Sequence, residues 1–200
     1  MGRFRALIAA ALLFAAGCAT TWDSDSPATD WDSYRAHATS ITRWNLSARV
    51  ALRWRSGAES ASLAWAQRDG RSEVELSGPL GAGAVRIIHD KNILRVESGG
   101  EGRVYDSSTP ATLAAATGWP IPVDALRFWL RGLPDPGQAL EELILEQGRA
   151  REIHQGGWVV SYTDYTAVAA GTLPSQLELT RAADGISLRL VNGRWATGDS

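Results

Sequence analysis

Residue types that carry out chemistry are scarce in this 200-residue chain, which has three histidines and one cysteine. The cysteine, Cys18, has no second cysteine for a disulfide within the chain, and one thiol cannot build a cysteine-based metal cage. His37 lies in a Thr- and Ser-rich stretch, whereas His89 and His154 lie at expected strand ends and turns. None of them is spaced like a catalytic base with its orienting group. The most reactive group is therefore the thiol of Cys18.

Motifs of the common enzyme classes do not occur in the sequence. There is no G-x-S-x-G nucleophile elbow, no H-E-x-x-H zinc motif and no Walker loop. The glycine-rich stretch 77–83 lacks the lysine and the strand–loop–helix context of a phosphate-binding loop. Glu141 and Glu142 are most simply a solvated pair. We therefore predict no catalytic residue and no metal site, and we expect that the protein is not an enzyme.

The N-terminal residues have the three parts of a secretory signal. Arg3 and Arg5 form a basic start, residues 6–14 form an uncharged apolar run, and small residues follow. The run is too short to span a bilayer, which takes ~20 residues. The sequence therefore predicts a signal peptide over residues 1–17.

The end of this segment, Ala15-Ala16-Gly17-Cys18, resembles the lipobox of bacterial lipoproteins, with Ala15 where that pattern usually has Leu. The resemblance implies that Cys18 carries an S-diacylglycerol and an N-acyl group, with no other cofactor, and several acyl chains anchor a protein stably. Ala19, in place of Asp, implies delivery to the outer membrane, where the lipid-anchored domain would face the periplasm. The alternative is an ordinary signal peptide with an incidental cysteine.

Residues 18–40 are rich in Thr, Ser, Asp and Ala and show no sustained period, which predicts a lipidated, flexible tether. Trp22 and Trp31 within it would either touch the membrane interface or dock on the domain. Residues 41–200 are then the folded domain. Without Arg3 and Arg5 the chain has 18 basic against 22 acidic residues and no basic run, which excludes nucleic acid as the main partner.

The folded part begins with a clear β-pattern. Apolar side chains occupy every second position at Trp44, Leu46, Ala48, Val50, Leu52 and Trp54. Similar alternation recurs along the chain, and Asp69-Gly70 and Asp184-Gly185 are strong hairpin signals. Strands with one apolar and one polar face predict an antiparallel sheet with one face in water.

Two helices are expected between the two runs of strands. The first is capped by Thr109 or Ser108, has Pro110 near its first turn and ends before Gly118. The second starts near Asp124 with an apolar stripe at Leu126, Trp129, Leu130 and Leu133. The apolar face of the sheet must be covered, and two short helices are the available cover. The sequence therefore predicts a mostly β (α+β) fold, in which a curved sheet carries a helical lid over a hollow apolar interior.

Several segments together resemble the LolB family of outer-membrane lipoprotein receptors, over about residues 43–195. The matching segments are Trp65-Ala66-Gln67, Gly78-Pro79-Leu80-Gly81, Gly118-Trp119-Pro120-Ile121-Pro122, Leu126 with Trp129, Arg131-Gly132-Leu133-Pro134, and Trp158-Val159-Val160-Ser161-Tyr162 before Tyr165. No single segment is decisive, and the resemblance rests on their order and spacing.

This resemblance implies an open, unclosed antiparallel β-barrel with a helical lid over a hydrophobic cavity. It also implies that the protein accepts lipoproteins from the periplasmic carrier LolA, holds their acyl chains in the cavity and inserts them into the outer membrane without ATP. Leu80, between Pro79 and Gly81, matches the exposed leucine of the family's membrane-insertion loop. The alternative for Leu80 is that it folds back onto the core.

The cavity residues are predicted from the apolar faces alone, and ordinary core packing is the alternative for each of them. The expected set is Leu46, Val50, Leu52, Trp65, Leu76, Ile87 and Trp129. We expect a monomer whose partners are LolA, the acyl chains of its cargo and outer-membrane lipid. The alternative function is an envelope lipoprotein that binds another apolar ligand or acts as a scaffold.

Overall fold

The computed structural model describes residues 30–79, 83–91, 93–106, 121–169 and 171–198. The predicted signal peptide, Cys18, Trp22, Leu80, Gly81 and the predicted helix over 109–118 lie outside the described residues.

The described strands form one antiparallel sheet of eleven strands. In chain order they are β1 Arg43–Trp54, β2 Gly57–Arg68, β3 Arg71–Ser77, β4 Val85–Asp90, β5 Ile93–Ser98, β6 Glu101–Asp106, β7 Leu140–Glu146, β8 Arg149–Gln155, β9 Trp158–Val168, β10 Gly171–Arg181 and β11 Ile186–Thr197. Their order across the sheet is β6-β5-β4-β3-β2-β1-β11-β10-β9-β8-β7. The outermost strands, β6 and β7, are not paired with each other, so the sheet is open, as predicted.

Strand β1 lies in the middle of the sheet and shows the predicted alternation. Trp44, Leu46, Val50 and Leu52 are buried, whereas the residues between them are exposed or half-buried. Trp44 packs against Trp65 of β2 and Trp195 of β11, with ring centroids 5.8 and 5.1 Å apart. The apolar face of the sheet is therefore continuous across the β2–β1–β11 centre.

The predicted hairpin signals also hold. Asp69-Gly70 joins β2 to β3, and Asp69 adopts a φ of 52°. Such a left-handed backbone suits the tight turns whose twist matches that of the flanking strands. The turn at Asp184-Gly185 joins β10 to β11 in the same way, with a φ of 66° at Gly185.

Two helices lie on the apolar face. Helix α1 spans Trp31–Ser40 and packs against β8 and β10, and helix α2 spans Val123–Trp129. The prediction of a flexible tether over 18–40 is therefore wrong for residues 31–40. Tyr34 and Ala38 of α1 are buried, and Trp31 stacks on Tyr34 at 5.8 Å, so this tryptophan docks on the domain.

Every described strand and helix lies between residues 30 and 198, and their buried apolar side chains form one cluster. The body of the protein therefore has its own core without the N-terminal segment. Neither of the described helices is long and apolar enough to cross a bilayer.

Candidate functional site

An apolar cavity lies between helix α2 and the centre of the sheet. Its volume is about 40 Å³, and all of the described side chains that line it are hydrophobic. The lining residues are Val50, Leu63, Trp65, Val74, Leu76, Ile87, Ile121, Val123, Leu126, Leu130, Leu188 and Leu190. The sheet provides the floor of this cavity, and α2 with its flanking residues provides the roof.

Four of the residues predicted for the cavity lie on its wall: Val50, Trp65, Leu76 and Ile87. The other three, Leu46, Leu52 and Trp129, are buried elsewhere in the core. Alternation along a strand identifies the inward face but not the position along the strand, and the cavity touches β1 only at Val50. Trp129 instead packs against Trp158, with ring centroids 6.3 Å apart.

The prediction missed the roof of the cavity and half of its floor. Leu126 and Leu130 belong to the apolar stripe of α2, and this stripe was a usable signal. Leu63, Val74, Leu188 and Leu190 are inward positions of alternating strands, so they too could have been named from the sequence. Ile121 and Val123 carry no periodic signal, because they flank Pro122 at the start of the helix.

The cavity is small in this conformation. A volume of about 40 Å³ holds only a few water molecules. Sites for drug-sized ligands have volumes of ~300–1,000 Å³. An elongated apolar ligand therefore fits only if part of the wall moves, and α2 is the wall that is not held by strand pairing.

The C-terminal end of α2 is fixed by buried hydrogen bonds. The indole Nε1–H of Trp129 donates to Oε1 of Gln155 at 3.0 Å, and the hydroxyl of Tyr162 donates to the carbonyl of Trp129 at 2.7 Å. Gln155 has no exposed surface, and it also donates to the carbonyl of Asp135 at 2.7 Å. Burial raises the pKa of Tyr162 well above its ordinary value, which keeps this hydroxyl protonated as a donor.

Arg131, two residues beyond α2, connects the two helices. Its guanidinium donates to the carbonyls of Ala38 and Ile41, at 2.9 and 2.8 Å, where α1 ends. A cation at a helix C-terminus satisfies carbonyls that lack an intrahelical partner. Burial, and then the charge of Arg127, lowers the pKa of Arg131 to about 10. The side chain stays charged at neutral pH and holds α1 against the end of α2.

Among the described residues, one polar side-chain contact is found at the N-terminal end of α2. Nδ1 of His89, at the end of β4, lies 3.1 Å from Oδ1 of Asp124, whose side chain is 56% exposed. The hydrogen bond from His89 lowers the pKa of Asp124 below its ordinary value. His89 lies close to the end of a strand, as expected, but its side chain is mostly buried, with 14% of its surface exposed.

The other two histidines do not approach this site. His37 lies on α1 rather than in a tether, and His154 lies on β8, where it contacts Glu142 and Glu152 at 3.4 and 3.1 Å. Within the described part of the chain, no group of three His, Cys, Asp or Glu side chains is arranged to hold a metal ion.

The predicted membrane-insertion loop joins β3 to β4. Leu76 at the end of β3 and Ile87 on β4 both line the cavity, so this connection leaves the sheet at the cavity wall. Pro79 is exposed, and Leu80 and Gly81 lie outside the described residues.

Comparison with known proteins agrees with this geometry. Residues 42–195 match the family model described as "Outer membrane lipoprotein LolB". The outer-membrane lipoprotein LolB of Alkalilimnicola ehrlichii is 37% identical over 199 residues, which cover 98% of each chain. That of Halorhodospira halophila is 34% identical over 202 residues, which cover 99% of this chain and 98% of that protein.

A solved structure shares the fold at low sequence identity. The LolA superfamily protein of Nitrosomonas europaea aligns with 86% of this chain and 94% of its own, with a TM-score of 0.56 and 11% identity. That likeness concerns the fold alone. The family model covers most of the chain, and relatives of the same description match nearly its whole length, so the protein belongs to the LolB family of outer membrane lipoproteins.

Proposed function

We propose that this LolB-family protein is an outer-membrane lipoprotein receptor that accepts lipoproteins from the periplasmic carrier LolA. It holds their acyl chains between α2 and the sheet and inserts them into the outer membrane without ATP. The observation that carries this proposal is a cavity whose described lining side chains are all hydrophobic, beneath a helix whose C-terminal end is held by buried hydrogen bonds. Such a wall accepts a hydrocarbon chain.

The energetics fit a passive transfer. Each methylene that leaves water gains ~0.8 kcal/mol, and this gain offsets the cost of moving α2 away from the sheet. Transfer without ATP requires that LolA bind the acyl chains more weakly than this protein, and this protein more weakly than the bilayer. If LolA kept the cargo after the two proteins were mixed at equal concentration, this order would be wrong.

Membrane attachment is the second part of the proposal. We infer that Cys18 carries the S-diacylglycerol and N-acyl groups that anchor the protein to the outer membrane, facing the periplasm. The names of the relatives as outer-membrane lipoproteins support this inference. Labelled palmitate should be incorporated into the wild-type chain and not into Cys18→Ser, and equal labelling of both would refute the assignment.

The third part concerns the release of cargo. We infer that Leu80, in the β3–β4 connection beside Pro79 and Gly81, enters the membrane surface during insertion. An apolar side chain at a loop tip gains free energy from contact with lipid. Because this connection starts at the cavity wall, the loop would bring the bilayer close to the bound acyl chains.

The test is a two-step transfer of a radiolabelled lipoprotein, first from LolA to residues 19–200 of this protein and then to liposomes. We expect that wild type accepts and inserts the cargo, and that Leu80→Glu accepts it but fails to insert it. Leu140→Glu, which changes an exposed leucine on edge strand β7, is the matched control and should behave as wild type.

Two outcomes would count against the proposal. If wild type never takes cargo from LolA, the receptor function is refuted, and the domain is an envelope lipoprotein with another apolar ligand. If Leu80→Glu inserts cargo at the wild-type rate, the receptor function stands but the assignment of the loop is wrong.

A further inference from the structure

A second, chemically different cavity lies beside the apolar one. It has a volume of about 160 Å³ and lies where the end of α1, the start of β1, the end of β2 and the end of α2 meet. The two cavities are separated by a pair of packed tryptophans: Trp65 lines the apolar cavity, and Trp44 lines this one. Nothing in the proposed transfer of acyl chains uses this second cavity, which we call the arginine pocket.

Two positive charges border the arginine pocket. Arg127 and Arg131 both line it, and their guanidinium carbons lie 4.9 and 5.5 Å from the ring centroid of Phe128, which also lines it. The two cations repel each other, and Arg127 is one of the causes of the lowered pKa of Arg131. Placing two like charges side by side in a partly buried site costs free energy unless an anion offsets them.

The acidic residues next to the arginine pocket already have partners. Asp69, which lines the pocket, accepts a hydrogen bond from the hydroxyl of Thr42 at 3.3 Å. Asp124 contacts His89, and the charge of Arg127 also acts on it and helps to lower its pKa. Among the described residues, no carboxylate forms an ion pair with Arg127 or Arg131. With two guanidinium groups and the carboxylate of Asp69, the lining carries a net charge of one positive unit.

Two buried N–H groups on the lining residues lack an acceptor. Trp44 has no exposed surface, and its indole Nε1–H has no hydrogen-bond partner. The Nε–H of Arg127 is also buried without a partner. The neighbouring tryptophan differs, because Nε1–H of Trp65 donates to Gln67 at 3.3 Å. Buried polar groups are nearly always hydrogen-bonded in native proteins, so two unpaired donors on residues that line one cavity are unusual.

We propose that the arginine pocket binds a phosphate group, either as free phosphate or as the phosphodiester of a phospholipid headgroup. Phosphate oxygens accept several hydrogen bonds at once. The planar, forked guanidinium of arginine can donate two parallel hydrogen bonds to them, which the ammonium group of lysine cannot do. A phosphodiester carries one negative charge, which balances the net charge of the lining. The volume of about 160 Å³ admits one such group but not a larger polyanion.

The tether favours the lipid as the source of this phosphate. If Cys18 is the anchor, eleven residues, 19–29, lie between it and Asp30 at the start of the described domain. Such a segment spans at most ~40 Å when extended, at ~3.5 Å per residue. The domain then stays within reach of the phosphodiesters on the membrane surface. This step rests on the proposed lipid anchor, whereas the phosphate chemistry of the pocket does not.

The test follows the indole N–H resonance of Trp44 by NMR in residues 19–200, with the resonance assigned by its loss in Trp44→Phe. Three probes are titrated at constant ionic strength: inorganic phosphate, glycerophosphoethanolamine, and vesicles of phosphatidylethanolamine and phosphatidylglycerol. We expect a saturable shift of this resonance, while the indole resonance of Trp158 stays in place. Arg127→Gln should weaken the binding at least ~tenfold, since it removes a charge-assisted hydrogen bond. Arg53→Gln, an exposed arginine on β1, is the control and should bind as wild type.

Each outcome decides the proposal. A response to inorganic phosphate alone supports a site for free phosphate, and a stronger response to the phosphodiester or the vesicles supports a headgroup site. If no probe moves the Trp44 resonance of the wild-type protein, or if Arg127→Gln and Arg53→Gln bind equally well, the proposal is overturned. The wild-type titration needs no variant and no cargo, so its failure is distinct from a failure of the transfer from LolA.

Discussion

The two ends of helix α2 are held in opposite ways. At the C-terminal end, Trp129 is bonded to Gln155 and Tyr162 in surroundings that exclude water, and Arg131 extends this network to α1. At the N-terminal end, the polar contact is the pair of His89 with the half-exposed Asp124. Buried networks are expensive to break, whereas a single contact to a half-exposed carboxylate is screened by water and is weaker. The difference indicates that α2 is a lid hinged at its C-terminal end.

This asymmetry explains how a cavity of about 40 Å³ can serve a receptor for acyl chains. Movement of the N-terminal end would carry Ile121, Val123 and Leu126 away from the sheet and enlarge the cavity from one side. Apolar contacts resist this movement, and the acyl chain replaces them once it has entered. The buried hydrogen bonds at the C-terminal end keep the helix in its position on the sheet, so the lid can close again after the acyl chain is released.

The largest effect is expected from breaking the hinge end. Gln155→Leu removes the acceptor of both the Trp129 indole N–H and the backbone N–H of Asp135, and leaves these donors buried. Each buried unsatisfied group costs ~1–3 kcal/mol, so the free energy of unfolding should fall by ~3 kcal/mol in urea denaturation. Gln176→Leu, at a half-buried position on β10, is the control and should change it by less than ~1 kcal/mol. Equal losses in both variants would contradict the role of Gln155.

A smaller loss is expected for Tyr162→Phe, which removes one hydrogen bond to the carbonyl of Trp129 and leaves the ring in place. The expected cost is ~1–2 kcal/mol, measured by the same denaturation. Tyr105→Phe on edge strand β6 should be nearly neutral. A stability of Tyr162→Phe equal to that of wild type would show that this bond does not hold α2.

Weakening the opening end should change rates more than stability. His89→Ala removes the polar contact to Asp124, and we expect the free energy of unfolding to fall by less than ~1 kcal/mol. Uptake of a fluorescent fatty acid in stopped-flow should nevertheless become faster, because α2 opens more often. His154→Ala, which removes another histidine paired with carboxylates, should leave uptake unchanged. Slower uptake in His89→Ala would contradict the hinge.

The smallest effect is on acid stability. His89 lowers the pKa of Asp124 below its ordinary 3.8, so folding is favoured by the ionised form of Asp124. This contribution is fully present above pH 3.8 and is lost as the pH falls below it, through the lowered pKa. Because the side chain of Asp124 is half-exposed, the loss should be less than ~1 kcal/mol. It should disappear in Asp124→Asn, and an unchanged acid profile in that variant would refute the contact.

The sheet and its turns were predictable from the sequence because they depend on local patterns. The alternation from Trp44 to Trp54, the turn at Asp69-Gly70 and the apolar stripe of α2 are each fixed by neighbouring residues. Helix α1 was not predictable in the same way, since its segment has weak periodicity. Its position depends on tertiary contacts, such as the hydroxyl of Tyr34 donating to the carbonyl of Arg131, 97 residues away.

The cavity was only partly predictable, for a related reason. A strand pattern shows that Leu46 and Leu52 face inward, but the position of α2 decides that the cavity touches Val50 instead. Gln155 and Asp124 are distant in sequence from the residues that they contact. In addition, Gln155 precedes two glycines, and this pattern predicts a turn rather than a buried hydrogen-bonding residue. The polar groups that hold the lid therefore become visible only when the strands and α2 are placed together.

The most direct test of the hinge is native-state hydrogen exchange at two matched amides of α2. The N–H of Leu126 donates to the carbonyl of Pro122 at 2.8 Å, and that of Leu130 donates to the carbonyl of Leu126 at 2.9 Å. We predict that His89→Ala accelerates exchange at Leu126 about two- to fivefold, as expected for loss of a single contact to a half-exposed carboxylate, and leaves Leu130 unchanged. Equal acceleration at both amides, or none at Leu126, would show that α2 does not open from its N-terminal end.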